Sequence, residues 1–323
     1  MIKTRITEML KITHPVMLAG MGGVSYSQLV STVSEVGGFG CLGASTMGTE
    51  KMIAEIDAVK KATDKPFGVD LLTAMPGDMV AQVEKVIEGG ASLFVAGLGV
   101  PADIIELCHK HGVLVANMCG KVEHAKRAID AGCDIVIAQG TEAGGHTGLV
   151  ATMPLVPQVV DAVRGQVPVV AAGGLFDGRG LAASLALGAD GVWMGTRFIA
   201  TPEARAVIGY KEKLVASQED QTTISRGYSG KTMRVIKNEY TSYWEQHPDE
   251  LQKFPNQALR SISDGYFHLG GDEETEGINP DNECYPAGQG TGAIHEVTPA
   301  AKLVLNIVAE AEDALSRVKN LIN

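Results

Sequence analysis

Residues 167–198 read VPVVAAGGLFDGRGLAASLALGADGVWMGTRF. Two apolar runs rich in small and β-branched residues, VPVVAAGG and GVWMGT, flank GRGLAASLALGA, in which the apolar positions recur at helical spacing. Strands joined through a helix lie parallel, because a short turn cannot return the chain to the same end of a sheet. The same unit repeats upstream. The strand-like runs are PVMLAG, FGCLGA, FGVDLL, LFVAGL, LVANMC and IVIAQG. Between them lie SQLVSTVSEVGG, MIAEIDAVKKAT, DMVAQVEKVIEGG, PADIIELCHKHG, KVEHAKRAIDAG and VPQVVDAVRG, several ending in the glycine that commonly terminates a helix. Eight short, evenly spaced alternations predict an α/β protein with a closed (β/α)8 TIM barrel. An open doubly wound sheet fits that rhythm less well.

After GTRFIATPEA the rhythm stops. Residues 1–204 are therefore assigned to the barrel. The more polar stretch 205–290, which includes YKEKLVASQED and YTSYWEQHPDELQKF, is read as a helical cap that shapes the substrate region. Residues 291–323 contain the amphipathic PAAKLVLNIVAEAEDALSRVKNLI, expected to be a helix packed back on the barrel wall. The acidic run GGDEETEGINPDNE is expected to be a solvated loop.

Composition narrows the class of function. A chain of 323 residues with 45% hydrophobic and 20% charged residues is an ordinary globular composition, and a net charge of −11 argues against a nucleic-acid partner. The expected partner is a small molecule, with a homodimer expected from size and class. The five cysteines, Cys41, Cys108, Cys119, Cys133 and Cys284, are dispersed without a CxxC pair, which suits reduced thiols and a cytoplasmic setting. There is no apolar run of the ~18 residues a membrane span needs. The remaining histidines lie at no recognised metal-ligand spacing, so no metal is expected.

In a parallel barrel the ligand site lies at the carboxyl ends of the strands. The candidates there are AGMGGVS after the first strand, Asp70 in the third, NMCGK after the fifth, Gln139 after the sixth, and the loops AAGGLFDGRG and GTRF after the last two. Gly173 and Gly174, paired with Gly195 and Thr196, form the arrangement with which barrels hold a phosphate on exposed backbone N–H groups. Asp177 opens a helix and reads as its cap, and Trp193 and Cys119 read as packing residues. Met17, Met21, Met118 and Met194 read as core, with the alternative of an apolar lining for a flat aromatic ligand. The sixth strand leads into AQGTEAGGHTG, residues 138–148, where glycines would let His146 approach a ligand and exchange a proton near neutral pH.

The segments PVMLAGMGGVS, KPFGVDLL, AQGTEAGGHTG, VPVVAAGGLFDGRGLAASLALGADGVWMGTRF and YPAGQGTGAI together resemble the nitronate monooxygenase family, formerly called 2-nitropropane dioxygenases. Flavin-dependent enoyl-acyl-carrier-protein reductases of type II belong to the same superfamily. The resemblance spans nearly the whole chain and implies an FMN-binding barrel. Carried over by position, Gly173, Gly174, Gly195 and Thr196 should hold the FMN phosphate. Ala19, Gly20 and Met21 should lie along the ring, Gly145 and Gln139 beside it, and Gln289 in a segment that returns to it. His146 should be the catalytic residue.

Asp70 departs from the pattern, since relatives commonly carry Asn there. Its charge next to a flavin has to be met by protonation or by a cation such as Lys121. The implied reaction is oxidation of alkyl nitronates with O2 to carbonyl compounds and nitrite. The alternative is NADH- or NADPH-dependent reduction of enoyl thioesters or quinones through FMN. A barrel of the inosine-monophosphate dehydrogenase type would need a cysteine where this chain has His146. A non-catalytic binding protein would have no need of that histidine.

Overall fold

The computed structural model describes residues 1–72, 78–97, 99, 101–272 and 274–322. Its strands are β1 (Val16–Leu18), β2 (Gly40–Gly43), β3 (Phe67–Leu72), β4 (Leu93–Gly97), β5 (Leu114–Cys119), β6 (Ile135–Gln139), the two-residue β7 (Gly145–His146), β8 (Val169–Ala172) and β9 (Gly191–Met194). All eight expected strands are present; Leu98, the last residue of LFVAGL, lies outside the described residues. Leaving out β7, they form one parallel sheet in the order β1-β9-β8-β6-β5-β4-β3-β2. The sheet closes where Leu18 N donates to Phe39 O (2.8 Å) and Phe39 N donates to Val16 O (3.0 Å). This is a (β/α)8 barrel.

Side-chain alternation explains the uninterrupted apolar runs. Met17, Cys41, Val95, Ile137, Val170 and Trp193 point inward and pack together, whereas their neighbours Val16, Leu18, Leu42, Val136 and Val192 pack outward under the helices. Trp193 is thus core, as its sequence context indicates. Asp177 caps helix Gly178–Ala186 by accepting from Arg179 N and Gly180 N. Helix Ala300–Lys319 returns against this helix: Gly178 N donates to Glu310 Oε2 (2.9 Å), and a Cβ on Gly178 would stand 2.3 Å from Ile307 O. Glycine is needed there for the close approach.

The insert after the barrel contains the helices Ile208–Ala216, Glu239–Gln246 and Asn256–Ser263, but it is not wholly helical. Thr222–Ser225 and Met233–Ile236 form an antiparallel hairpin, β10 and β11, and β11 also pairs with β7. TTIS and MRVI are too short for a periodicity to stand out. β11 finds its second partner in β7, in the loop after β6. The acidic run also departs from a purely solvated loop. Asp272 Oδ2 accepts from Arg205 Nη2 (2.8 Å), and Glu283, 1% exposed, accepts from His268 N (2.8 Å) and meets His268 Nδ1 at 2.7 Å. Glu273 lies outside the described residues. These partners come from elsewhere in the chain and are invisible in the acidic run itself.

All five cysteines are buried and unbridged. No described helix is long and apolar enough to cross a membrane, and the described residues contain no group of three or more His, Cys, Asp or Glu placed to hold a metal.

Candidate functional site

The inward-facing register brings Ala19, Gly43, Asp70, Gly97, Met118, Gln139 and Gly195 to the carboxyl end of the barrel. Four of these seven are Gly or Ala, so the floor of the mouth is low. A Cβ on Gly195 would lie 3.2 Å from Met21 Sδ and 3.5 Å from Ala19 Cβ, and one on Gly43 would lie 2.2 Å from the Met21 backbone. The loop Ala19–Met21 is pressed against β2 and β9 in this way. Asp70 closes the same corner: a Cβ on Gly20 would stand 2.2 Å from Asp70 Cβ. Asp70 is 4% exposed, and burial pushes its carboxyl up to about 8. Lys121 is exposed at the start of helix Val122–Asp130, and no described cation pairs with Asp70. Burial thus favours the protonated acid over a carboxylate compensated by a cation.

The histidine loop folds over this floor. Gln139 Nε2 donates to His146 O (2.8 Å), and Met233 stands opposite His146 in the β7–β11 ladder. His146 Nε2 lies 3.0 Å from Ser229 Oγ, whose position is set by hydrogen bonds to Lys231 O and N. Burial, reinforced by the Lys231 ammonium, lowers the His146 pKa to about 4. The imidazole is therefore neutral at physiological pH, beside a cation. Ser229 and Lys231 belong to the cap segment RGYSGK. Nothing in that segment marks them, because their meeting with His146 depends on how the hairpin docks.

A second cluster surrounds the glycine pair. Gly173 and Gly174 have φ of +105° and +70°, and a Cβ on Gly174 would stand 2.9 Å from Glu142 Cβ. Glu142 accepts from Thr152 N (2.8 Å) and Thr152 Oγ1 (2.9 Å), capping helix Thr152–Val163 and pinning the histidine loop. The segment Pro286–Gly290 closes the arrangement: Gly288 N donates to Thr196 Oγ1 (2.9 Å) and Gln289 N donates to Glu142 O (2.9 Å). A pocket of about 280 Å³ opens among Glu142, Gly173, Gly174, Phe176, Gln289 and Gly290. Gln289, an exposed residue, is tied to this cluster by its backbone N–H and lines the pocket. Sequence reasoning missed Glu142 and Thr152; an acidic residue four positions before a histidine carries no sign that it caps a distant helix.

Arg234 joins the clusters from below. It is 6% exposed, and it donates from Nε to Thr141 O (2.9 Å) and from Nη1 to Thr222 Oγ1 (3.2 Å). Arg234→Met should therefore destabilise by about 2–5 kcal/mol, because it strands a buried and a half-buried acceptor and leaves the Glu142 carboxylate without a nearby cation. Thermal denaturation with proteolysis of the histidine loop checks this; an unchanged melting temperature would show the contacts to be dispensable.

The profile of the nitronate monooxygenase family matches residues 3–79 and 73–310. The chain belongs to this family. It is an oxidoreductase. Among similar proteins, (3aS,4S,5R,7aS)-5-hydroxy-7a-methyl-1-oxo-octahydro-1H-indene-4-carboxyl-CoA dehydrogenase of Mycobacterium tuberculosis is 41% identical over 74% of this chain and 67% of its own length. FabK from Thermotoga maritima superposes with a TM-score of 0.90 at 31% identity over 100% of both chains. Nitroalkane oxidase from Streptomyces ansochromogenes superposes with a TM-score of 0.83 at 27% identity, covering 97% of this chain and 99% of its own. Proteins named for different activities are thus similar to this one chain.

Proposed function

We propose that the chain is an FMN-dependent nitronate monooxygenase that oxidises alkyl nitronates with O2 to carbonyl compounds and nitrite. The observation that carries this reading is the His146 ring at the barrel mouth, its Nε2 3.0 Å from Ser229 Oγ, in surroundings where burial and the Lys231 ammonium favour the neutral imidazole. A neutral imidazole and a cation suit a substrate that arrives as an anion, and a nitronate is a carbon acid already deprotonated.

The residues present fit FMN. Bare backbone at Gly173 and Gly174, with Gly195 and Thr196, would hold its phosphate, while Glu142 occupies the end of helix Thr152–Val163. The low floor at Ala19, Gly20, Met21 and Gly195 would take the ring, with Asp70, Gln139 and Gly145 at its margin and the Pro286–Gly290 segment, including Gln289, closing over it. When bound, FMN supplies the electron-accepting and oxygen-reactive chemistry. The chain's own part is to hold the substrate's charge with Lys231, orient it with the His146 ring, and keep that ring in place through Ser229 and Gln139.

A second reading rests on the resemblance to FabK and to the CoA-ester dehydrogenase. In it, NADH or NADPH is a co-substrate and an enoyl thioester or quinone is reduced at the same site, with His146 as proton donor or orienting group. Anaerobic absorbance spectra of the purified protein decide between the readings. Bleaching of the flavin bands by propyl-2-nitronate, with NADH and NADPH inert, is the expected result. Rapid bleaching by a nicotinamide would establish the reductase instead, and a colourless protein that cannot be loaded with FMN would overturn both.

A further inference from the structure

We propose that Asp70 serves the cofactor site as a neutral carboxylic acid, donating its proton in a hydrogen bond to an acceptor on the ring, and thereby makes cofactor binding pH-dependent. This deepens the FMN reading above and rests on it.

The geometry comes from strand register. Asp70 stands between Gly43 of β2 and Val95 of β4 and points into the barrel, where the neighbouring inward side chains are apolar. From above, Gly20 lies so close that only a hydrogen fits between its Cα and the Asp70 carboxyl: a Cβ there would be 2.8 Å from Asp70 Oδ2. The carboxyl therefore abuts the loop that borders the mouth. Of the titratable groups on the elements packed around it, Cys41 of β2 is the one coupled to Asp70, and that thiol is itself pushed up by burial and by Asp70. The facing residues of β4 and of the Ala19–Met21 loop bring no charge. Lys121 lies exposed, and His146 and Lys231 belong to the roof above the mouth.

A carboxylate here would be a buried anion without a paired cation among the described residues, which is costly. Burial instead keeps the proton on until about pH 8. The two states differ in kind as well as charge, because a carboxylic acid has one O–H to donate and a carboxylate has none. Asparagine has the same shape and keeps a donor that does not titrate. Asp70→Asn should therefore preserve binding while removing its pH dependence.

The test combines two measurements on full-length protein carrying FMN. Infrared spectra with 13C-labelled aspartate should show an isotope-sensitive protonated carboxyl band at pH 7 that, with FMN bound, persists to higher pH than the midpoint near pH 8 of the FMN-free protein, and that is absent from Asp70→Asn. FMN affinity, read by fluorescence, should weaken roughly tenfold per pH unit above that midpoint in the wild type and stay level in Asp70→Asn. An ionised Asp70 at pH 7 in protein that holds FMN would overturn the proposal and leave the FMN reading standing. So would a pH dependence that survives in Asp70→Asn. Protein that cannot be made yellow would overturn both. The infrared titration requires no variant, so a failure of Asp70→Asn to fold leaves the proposal open to refutation.

Discussion

His146→Ala is expected to retain FMN and the wild-type fold while lowering turnover of alkyl nitronates by roughly two to four orders of magnitude, the usual reach of a positioned proton-exchanging or hydrogen-bonding side chain. The effect should be confined to chemistry because the backbone contacts of His146 do not depend on its ring. Its carbonyl still accepts from Gln139 Nε2, and the β7–β11 ladder still pairs Gly145 with Arg234. What disappears is the imidazole beside Ser229 and Lys231. The pH profile gives an independent signature. Burial holds the His146 pKa near 4, so the neutral, active form persists at neutral pH and activity falls only as pH drops through that region. An acid limb at the ordinary histidine value near 6.5 would mean that another group controls the reaction. Wild-type turnover in the variant, measured with preformed propyl-2-nitronate, would remove His146 from the mechanism.

The second large effect concerns cofactor retention. Gly174→Leu should raise the Kd for FMN by at least about a hundredfold, so that the protein leaves gel filtration colourless. Two causes act together. At φ +70° a side chain is strained, and its Cβ would press on Glu142 at 2.9 Å, disturbing the residue that pins the histidine loop. The rest of the leucine would then intrude on the pocket of about 280 Å³ where the phosphate is proposed to sit. Circular dichroism separates this outcome from unfolding, since Gly174 lies after β8 and the barrel interior is untouched. A folded, fully yellow and active Gly174→Leu would place the phosphate elsewhere.

Asp70 adds a test with a defined sign. Its carboxyl titrates at about 8 in the folded chain against 3.8 ordinarily, so the proton it holds stabilises the fold fully below pH 3.8, and that contribution is lost as pH rises through about 8. At pH 7 the wild type should therefore be less stable than Asp70→Asn by as much as roughly 4 kcal/mol, taking 1.36 kcal/mol per pKa unit. The gap should close in acid. Chemical denaturation of both proteins at pH 4 and pH 7 measures it, and equal stabilities at pH 7 would mean that Asp70 is ionised with a partner.

The barrel was legible because its signal is local and repeated. Each apolar run followed by a helix-period segment reports one β/α unit, and eight such units close by geometry alone. The glycine pair and His146 were legible for a related reason: they sit where strands end, and strand ends in this fold converge. Asp177 was readable as a cap because a cap's partners, Arg179 N and Gly180 N, are its chain neighbours. The cap was legible only as a change of rhythm. Its hairpin strands are four residues each, and β11 also pairs with β7, a two-residue strand that no periodicity marks.

The sequence by itself determined the barrel, the location of the mouth and the family, since these follow from periodicity and from contiguous motifs. Tertiary structure decided which side chains act together. Ser229 reaches His146 across 83 positions of chain, Gly288 meets Thr196 across 92, and Glu142, which no motif singles out, accepts from the first N–H of a helix. It also sets the direction in which the Asp70 carboxyl and the His146 imidazole are displaced from their ordinary pKa, because desolvation depends on what packs against a group, and that is a property of the assembled mouth rather than of any stretch of chain.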